Sequence, residues 1–156
     1  MKTFRLEKSY LAGLATWLGS QQLAARPSRF RSRFLKDLSA EIVQLDEDRI
    51  ALASEAAEKD ENGKAKVEGV DNEEHFVVSE ENQRELNLAV TELMKEEYVV
   101  DITEGNKEKM DTIRNILLNT AYSFGPRESD TPQEAQMHIL EMNNYDVWCN
   151  AFEGED

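Results

Sequence analysis

The chain has 156 residues, 40% of them apolar and 32% charged, and a formal net charge of −14. This composition fits a single soluble acidic domain, 1–156, that buries roughly two-thirds of the surface its unfolded form exposes, and it does not fit a disordered tail. An acidic body repels nucleic acid, and no uninterrupted apolar run approaches the roughly eighteen residues that span a bilayer, so neither duplex binding nor a membrane is expected.

Phe4 and Leu6, set among charged neighbours, read as a short strand or a helical lead-in. Tyr10, Leu14, Trp17, Leu18 and Ala25 then fall on one helical face with Leu11 beside them, and Pro27 is expected to close that helix. Lys2, Arg5 and Lys8 ahead of Leu11–Leu18 superficially resemble a secretion signal, but Gly13, Thr16 and Gly19 dilute the apolar region such a signal needs. The dominant element is the stretch from Ser28 to Glu58, which contains no Pro or Gly. Leu35, Leu38, Ile42, Leu45, Leu52 and Ala56 follow spacings of three and four, broken only by Arg49, and Phe30 and Phe34 extend the stripe backwards. These positions predict one amphipathic helix of about 45 Å.

Asn62-Gly63 is the strongest turn signal in the chain. Beyond it, residues 66–70 and 75–78 read as two strands of a small hairpin with Asp71 and Asn72 in the turn, the alternative being a disordered acidic loop over 60–74. Ser79 is a helix cap, followed by Glu80 and Glu81 and by a stripe of Leu86, Ala89, Val90, Leu93 and Met94. Residues 98–102 read as a strand and Thr103 as the cap of a helix burying Met110, Ile113, Ile116, Leu117, Ala121 and Phe124, up to Gly125-Pro126. Thr131, Pro132 and Glu134 carry the full signature of a capping box. The last helix presents Ala135, Ile139, Leu140, Met142, Val147, Trp148 and Phe152 before the acidic end at Gly154-Glu155-Asp156. The sum is a mainly α fold with a small β element (α+β): about five helices around one long central helix, plus two or three short strands.

Charge is split along the chain. Residues 1–36 carry eight basic residues and one acid, whereas the rest carries a net charge of −21. Arg29 and Arg33 share a face of the long helix with Arg26 and Lys36 close by, and Arg31 points elsewhere. Asp37, Glu41 and Asp48 lie along the outer side of the same helix, and Glu81, Glu85, Glu92 and Glu96 along the third. These eleven residues are the candidate protein-binding positions. Catalytic equipment is sparse. His75 and His138 have no metal-binding spacing with Cys149, and Glu134, His138 and Glu141, although on one side of a helix, bring no second element. The lone cysteine cannot form an internal disulfide, and no phosphate loop or nucleophile elbow is present. No enzyme activity and no cofactor are expected. The long stripe is read as covered mainly by the chain's own helices, with a homodimer as the competing arrangement, and Arg49 should reach solvent or one of Glu41, Asp46 and Asp48.

Several motifs resemble, as a set, a family of small, functionally uncharacterised proteins from phages and prophages of Gram-positive bacteria. They are Tyr-Leu-Ala-Gly-Leu at 10–14, Ser-Arg-Phe-Arg-Ser-Arg-Phe-Leu-Lys at 28–36 and Lys-Asp-Glu-Asn-Gly-Lys at 59–64. Leu-Met-Lys-Glu-Glu-Tyr-Val-Val-Asp-Ile-Thr-Glu at 93–104, Ile-Leu-Leu-Asn at 116–119 and Tyr-Asp-Val-Trp-Cys-Asn-Ala-Phe-Glu at 145–153 complete it. The resemblance covers Tyr10 to Glu153 and brings no catalytic residue; Asp71–Glu74 and Gly125–Asp130 depart from it. It implies action in the host cytoplasm, either as an accessory or assembly protein that docks on a protein partner or as an acidic DNA mimic that inhibits a host defence nuclease, in the manner of an anti-CRISPR. Salt dependence of binding would separate these two readings.

Overall fold

The computed structural model describes residues 2–152. The final acidic residues 154–156 singled out above lie outside the described residues. The elements run in the order β1 (Thr3–Glu7), α1 (Leu11–Ser20), α2 (Ala25–Ala56), β2 (Val67–Glu68), β3 (His75–Phe76), α3 (Glu80–Lys95), β4 (Glu97–Asp101), α4 (Lys107–Leu118) and α5 (Pro132–Asn150). The class is the expected one: five α-helices, one of them 32 residues long, with β1-β4 and β2-β3 as two small antiparallel sheets. No described helix is long and apolar enough to cross a membrane. The chain divides into two compact units, Met1–Ile42 with Glu97–Asp156 and Val43–Glu96, so that the division falls inside α2.

The larger unit is built around Phe4. Thr3 through Glu7 pair antiparallel with Asp101 through Glu97, and the alternation of the strand turns Phe4 and Leu6 inward while Arg5 and Glu7 stay exposed. The Phe4 ring meets Phe34 edge-on at 5.7 Å, Tyr98 at 6.2 Å and Phe152 at 4.8 Å. Arg5 N–H donates to the Ala151 carbonyl at 3.0 Å, tying the residue after α5 to the strand. Leu11, Leu14, Trp17 and Leu18 of α1, Leu38 of α2, Met110, Ile113 and Leu117 of α4, and Trp148 of α5 complete this core.

Several boundaries differ from the sequence reading. Pro27 does not close α1; it sits in the first turn of α2, whose first bond runs from Ser28 N–H to the Ala24 carbonyl at 3.0 Å. The N–H that Pro27 lacks would have had no partner within the helix there. Instead, α1 ends at Ser20, where side chains take up its last carbonyls. Ser20 Oγ donates to Trp17 O at 2.7 Å, and the Arg31 guanidinium donates to Leu18 O at 3.1 Å, to Gln21 O and to Ser28 Oγ. Arg31, expected to be exposed, is therefore half-buried and acts as a side-chain cap. Thr103 does not cap α4. The helix starts four residues later, after Asn106, whose side chain accepts from Thr103 N–H at 2.8 Å and donates to Asp101 O at 2.9 Å.

At its other end α4 stops at Leu118, short of Ala121 and Phe124. Thr120 Oγ1 accepts from Tyr122 N–H at 3.0 Å, a local bond that competes with helix continuation. Burial over 120–124 then alternates: Tyr122 and Phe124 are covered and Ala121 is exposed. Helix α5 carries the expected capping box, with Glu134 N–H donating to Thr131 Oγ1 at 3.2 Å and Thr131 N–H to Glu134 Oε2 at 3.1 Å. Only Trp148 and Cys149, near its end, are buried. Ile139, Leu140 and Met142, expected in the core, are 40–57% exposed.

In the smaller unit the remainder of α2 and the whole of α3 are joined by residues 57–79. Asp60 Oδ1 accepts from Asn62 N–H at 2.8 Å and Lys64 N–H at 3.0 Å, closing the turn in which Gly63 has φ 76°. Val67 pairs with Phe76 and Glu68 with His75, so the hairpin, rather than the disordered loop, is what forms here. Its turn depends on Gly69, at φ 103°, where a Cβ would come within 2.4 Å of the Glu73 carbonyl. Ser79 caps α3 through Asn82 N–H at 3.3 Å, and Asn82 Nδ2 reaches back to Ala56 O at 3.2 Å.

Candidate functional site

Along α2, Asp48, Ala51, Leu52 and Glu55 stand at i, i+3, i+4 and i+7. Ala89, Glu92, Leu93 and Glu96 repeat that spacing along α3 and its C-cap. Residues so spaced share one helix face. The two faces line one concavity of about 390 Å³ in the smaller unit. Leu52 and Leu93 are the more buried members, Leu93 at 8% exposure, whereas Glu55, Glu92 and Glu96 are exposed and Asp48 is half-buried. The result is a groove lined by two leucines, two alanines and four carboxylates. This unit holds sixteen acidic and six basic residues, a net charge of −10, against −4 for the larger one.

The structure thus brings together three of the sequence-predicted positions, Asp48, Glu92 and Glu96. Glu81 and Glu85 are exposed on α3 and do not line this groove. Asp37 and Glu41 lie in the other unit, half-buried near Tyr98, whose phenol is raised above its ordinary value first by burial and then by these two carboxylates. Lys109 Nζ engages Asp37 at 2.6 Å. The basic positions all lie on α2, at spacings that keep them on one face, but with different neighbours. Arg26 pairs with Glu108, Arg33 lies 5.8 Å from the centre of the Phe30 ring, and Arg29 and Lys36 are exposed. Arg49 finds Asp46 at 3.8 Å, one of the carboxylates anticipated for it, and lines a second concavity of the smaller unit with Ile50, Phe76 and Leu86.

A cavity of about 510 Å³ in the larger unit was not anticipated. Its walls come from α1 (Gly13, Trp17), α5 (Met137, Leu140, Trp148) and the segment between α4 and α5. Two hydrogen-bonded pairs stand at its polar side. Asp130 Oδ2 is 2.7 Å from His138 Nδ1 and also accepts Arg127 N–H at 2.7 Å. That backbone bond, reinforced by His138, holds the Asp130 carboxyl below its usual range. Tyr122 Oη donates to Glu141 at 3.0–3.2 Å, and the phenol is raised by burial and then by Glu141, with Arg127 opposing. Both pairs clamp the irregular connection onto α5. The indole N–H groups of Trp17 and Trp148 are buried with no hydrogen-bond partner among the described residues.

Of the set Glu134, His138 and Glu141, the first is committed to the capping box and the others to separate partners. Among the described residues no group of three or more His, Cys, Asp or Glu side chains is placed to hold a metal ion. Cys149 is buried. The signal that sequence reading missed is Asp130: it lies eight residues before His138, on the far side of a helix cap, where helical periodicity says nothing. No protein-family model, no curated protein and no solved structure matches this chain.

Proposed function

We propose that the chain is a non-catalytic protein-binding protein whose smaller unit takes up a basic amphipathic helix of a partner in the groove between α2 and α3. The observation that carries this reading is the shared lining: Asp48 and Glu55 of α2 and Glu92 and Glu96 at the end of α3 surround one concavity together with Ala51, Leu52, Ala89 and Leu93. A helix laid in a groove presents apolar anchors at i, i+3, i+4 and i+7, and basic residues flanking those anchors would meet the carboxylates of the lining. Facing potentials of opposite sign speed encounter and fix register. In the setting implied by the sequence resemblance, the partner is a host or phage-particle protein in the host cytoplasm.

The DNA-mimic alternative is favoured by the unit-wide charge of −10 rather than by the groove. It uses the whole acidic surface, so the two readings differ in footprint. The test titrates a labelled basic amphipathic peptide, and then the basic partner recovered from host lysate, against charge-reversal variants at two salt concentrations. The groove reading expects Glu92→Lys with Glu96→Lys to abolish binding and Glu81→Lys with Glu85→Lys to leave it within threefold. Equal losses from both pairs, with competition by duplex DNA, support the mimic. No loss from either pair overturns both.

A further inference from the structure

We propose that the basic face at the start of α2 in a second copy of this chain occupies the carboxylate-lined groove, so that copies associate head to tail. The proposal rests on the groove reading above and names an occupant for it. Arg29, Arg33 and Lys36 stand at i, i+4 and i+7 on one side of α2, and all three are exposed. Arg29 and Lys36 have no ion-pair partner among the described residues, and Arg33 has only the Phe30 ring, 5.8 Å away. In the groove, Glu55 and Glu92 are likewise exposed and unpaired among the described residues. Asp48 accepts from Gln44 Nε2 at 2.9 Å, which leaves its charge unneutralised.

The two surfaces also match in spacing. Arg29 and Lys36 are seven residues apart, as are Asp48 and Glu55, about 10.5 Å along each helix at 1.5 Å per residue. Arg29 and Arg33 are four apart, as are Glu92 and Glu96, about 6 Å. The methylene stems of arginine and lysine cover apolar surface while their heads stay polar, which suits a groove holding Ala51, Leu52, Ala89 and Leu93 among its acids. Residues of one helix meet at separations of three and four, and Asp48 follows Lys36 by twelve. The basic residues of a chain therefore do not reach the carboxylates further along their own α2. A second copy brings them. Because face and groove are different surfaces, the contact is heterologous and leaves one of each open at the ends. Two bodies of net charge −14 repel each other. At 0.1 M salt the Debye length is about 10 Å, so that repulsion is largely screened while charges in contact still attract. Exposed ion pairs are individually weak, so the association belongs to high protein concentration.

Sedimentation equilibrium of the full chain at 1 mM tests this in 0.1 M and 0.5 M salt. The parent should exceed the 17.9 kDa of one chain at the lower salt and fall to it at the higher. Arg29→Glu with Lys36→Glu, and separately Glu55→Lys with Glu92→Lys, change exposed positions and should fold, as judged by circular dichroism. Each double variant alone should remain at one chain's mass. Their equimolar mixture should recover association and stop at two chains, because one retains the groove and the other the basic face. The reversals move the net charge by four, to −18 and −10, so both variants stay negative and overall charge does not drive the mixture together. A parent at 17.9 kDa in 0.1 M salt, variants that associate like the parent, or a mixture that stays at one chain's mass each overturn the proposal. The groove reading is scored apart, with the labelled basic peptide. If the peptide binds the parent and not Glu55→Lys with Glu92→Lys while the parent is monomeric, the groove stands and only the second copy is removed. If neither peptide nor second copy binds, both readings fall.

Discussion

The two units treat their apolar side chains in opposite ways. Each of the eleven large side chains below 2% exposure among the described residues lies in the larger unit, around Phe4, Trp17 and Trp148. In the smaller unit only Leu45, Ala57 and Leu93 are classed as buried, at 5–8% exposure, whereas Val43, Ile50 and Leu88 are 56–68% exposed. The larger unit has a packed interior. The smaller one is a helix pair held by caps, turns and a hairpin, with open concavities on its surface. Burial of apolar area is the main source of folding stability, so stability should be concentrated in the first unit and binding capacity in the second.

The largest effects should come from the Phe4 core. Phe4→Ala should cost about 3–5 kcal/mol, and Leu38→Ala, at a fully buried position, nearly as much. Leu93→Ala should fall nearer 2 kcal/mol, because its neighbours are partly exposed and can close around the gap. All tryptophans and tyrosines lie in the larger unit, so aromatic fluorescence in urea follows that unit alone while far-UV circular dichroism follows both. Leu93→Ala should move the dichroism transition and spare the fluorescence. If it shifts both as far as Phe4→Ala does, the division into units is not a division in stability.

Next in size is Arg31→Ala. As a solvated residue it would shift stability by less than about 0.5 kcal/mol. As the cap of α1 it takes a donor from the Gln21 carbonyl and leaves the Leu18 carbonyl only the 3.3 Å bond from Gln21 N–H, so a loss of about 1–3 kcal/mol is expected in the fluorescence transition. Arg31→Lys should recover little, since an ammonium cannot reproduce the forked donation to Leu18 O, Gln21 O and Ser28 Oγ.

Arg31 also shows where sequence reading stops. The long helix, the cap at Ser79, the capping box at Thr131 and the Asn62-Gly63 turn are local signals, each set by residues within a few positions of one another, whereas Phe4 and Leu6 leave strand and helical lead-in open and the pairing with 97–101 decides between them. Arg31 meets Gln21 and Leu18 across a change of chain direction, and Asp130 meets His138 across a helix start; neither periodicity nor spacing encodes such a meeting. Tyr122 and Phe124 fail for a related reason. An apolar spacing of three or four can be drawn through Leu117, Ala121 and Phe124, but the aromatic pair is placed by ring contacts, Tyr122 with Trp17 and Phe124 with Trp17 and Tyr145, at 4.3–6.0 Å, which an extended segment satisfies. The acidic lining was half readable. Helical spacing put Asp48 on one row and Glu92 and Glu96 on another, and only tertiary structure could bring those rows to one concavity.

A smaller and pH-dependent effect is expected at Asp130. Its folded carboxyl titrates below the unfolded value of 3.8, so the stabilisation is fully present above that value and is lost as pH falls through the depressed folded one. The urea midpoint of the parent should exceed that of Asp130→Asn at about pH 5, and the gap should close in more acidic solution. Tyr145 works at the other end. Burial, with Cys149 assisting, pushes its phenol up to about 12, so the neutral form is favoured by folding and stability is lost between about pH 10 and 12. Tyr145→Phe should flatten that alkaline loss, and both readouts belong to the larger unit. A gap at Asp130 that widens on acidification would mean the carboxylate is not ionised in the fold.

The smallest expected effect bears most directly on the exposed apolar residues of the smaller unit. If the chain is a monomer, Ile50 and Leu88 sit in water at 59% and 68% exposure, and Ile50→Ser with Leu88→Ser should change stability by less than about 0.5 kcal/mol. If a second copy covers them, each side chain buried in the dimer is worth about 1.5–3 kcal/mol, and the loss would be far larger. It would also depend on concentration, because association adds to stability by mass action. The parent and the double variant should therefore be melted in urea at 1 and 100 μM, with sedimentation at both concentrations. A monomeric chain gives coincident curves, a mass near 17.9 kDa and a double variant indistinguishable from the parent. A parent midpoint that rises with concentration, and a variant in which that rise is gone, would assign the exposed face to self-association and leave the carboxylate groove alone as the surface for a different partner.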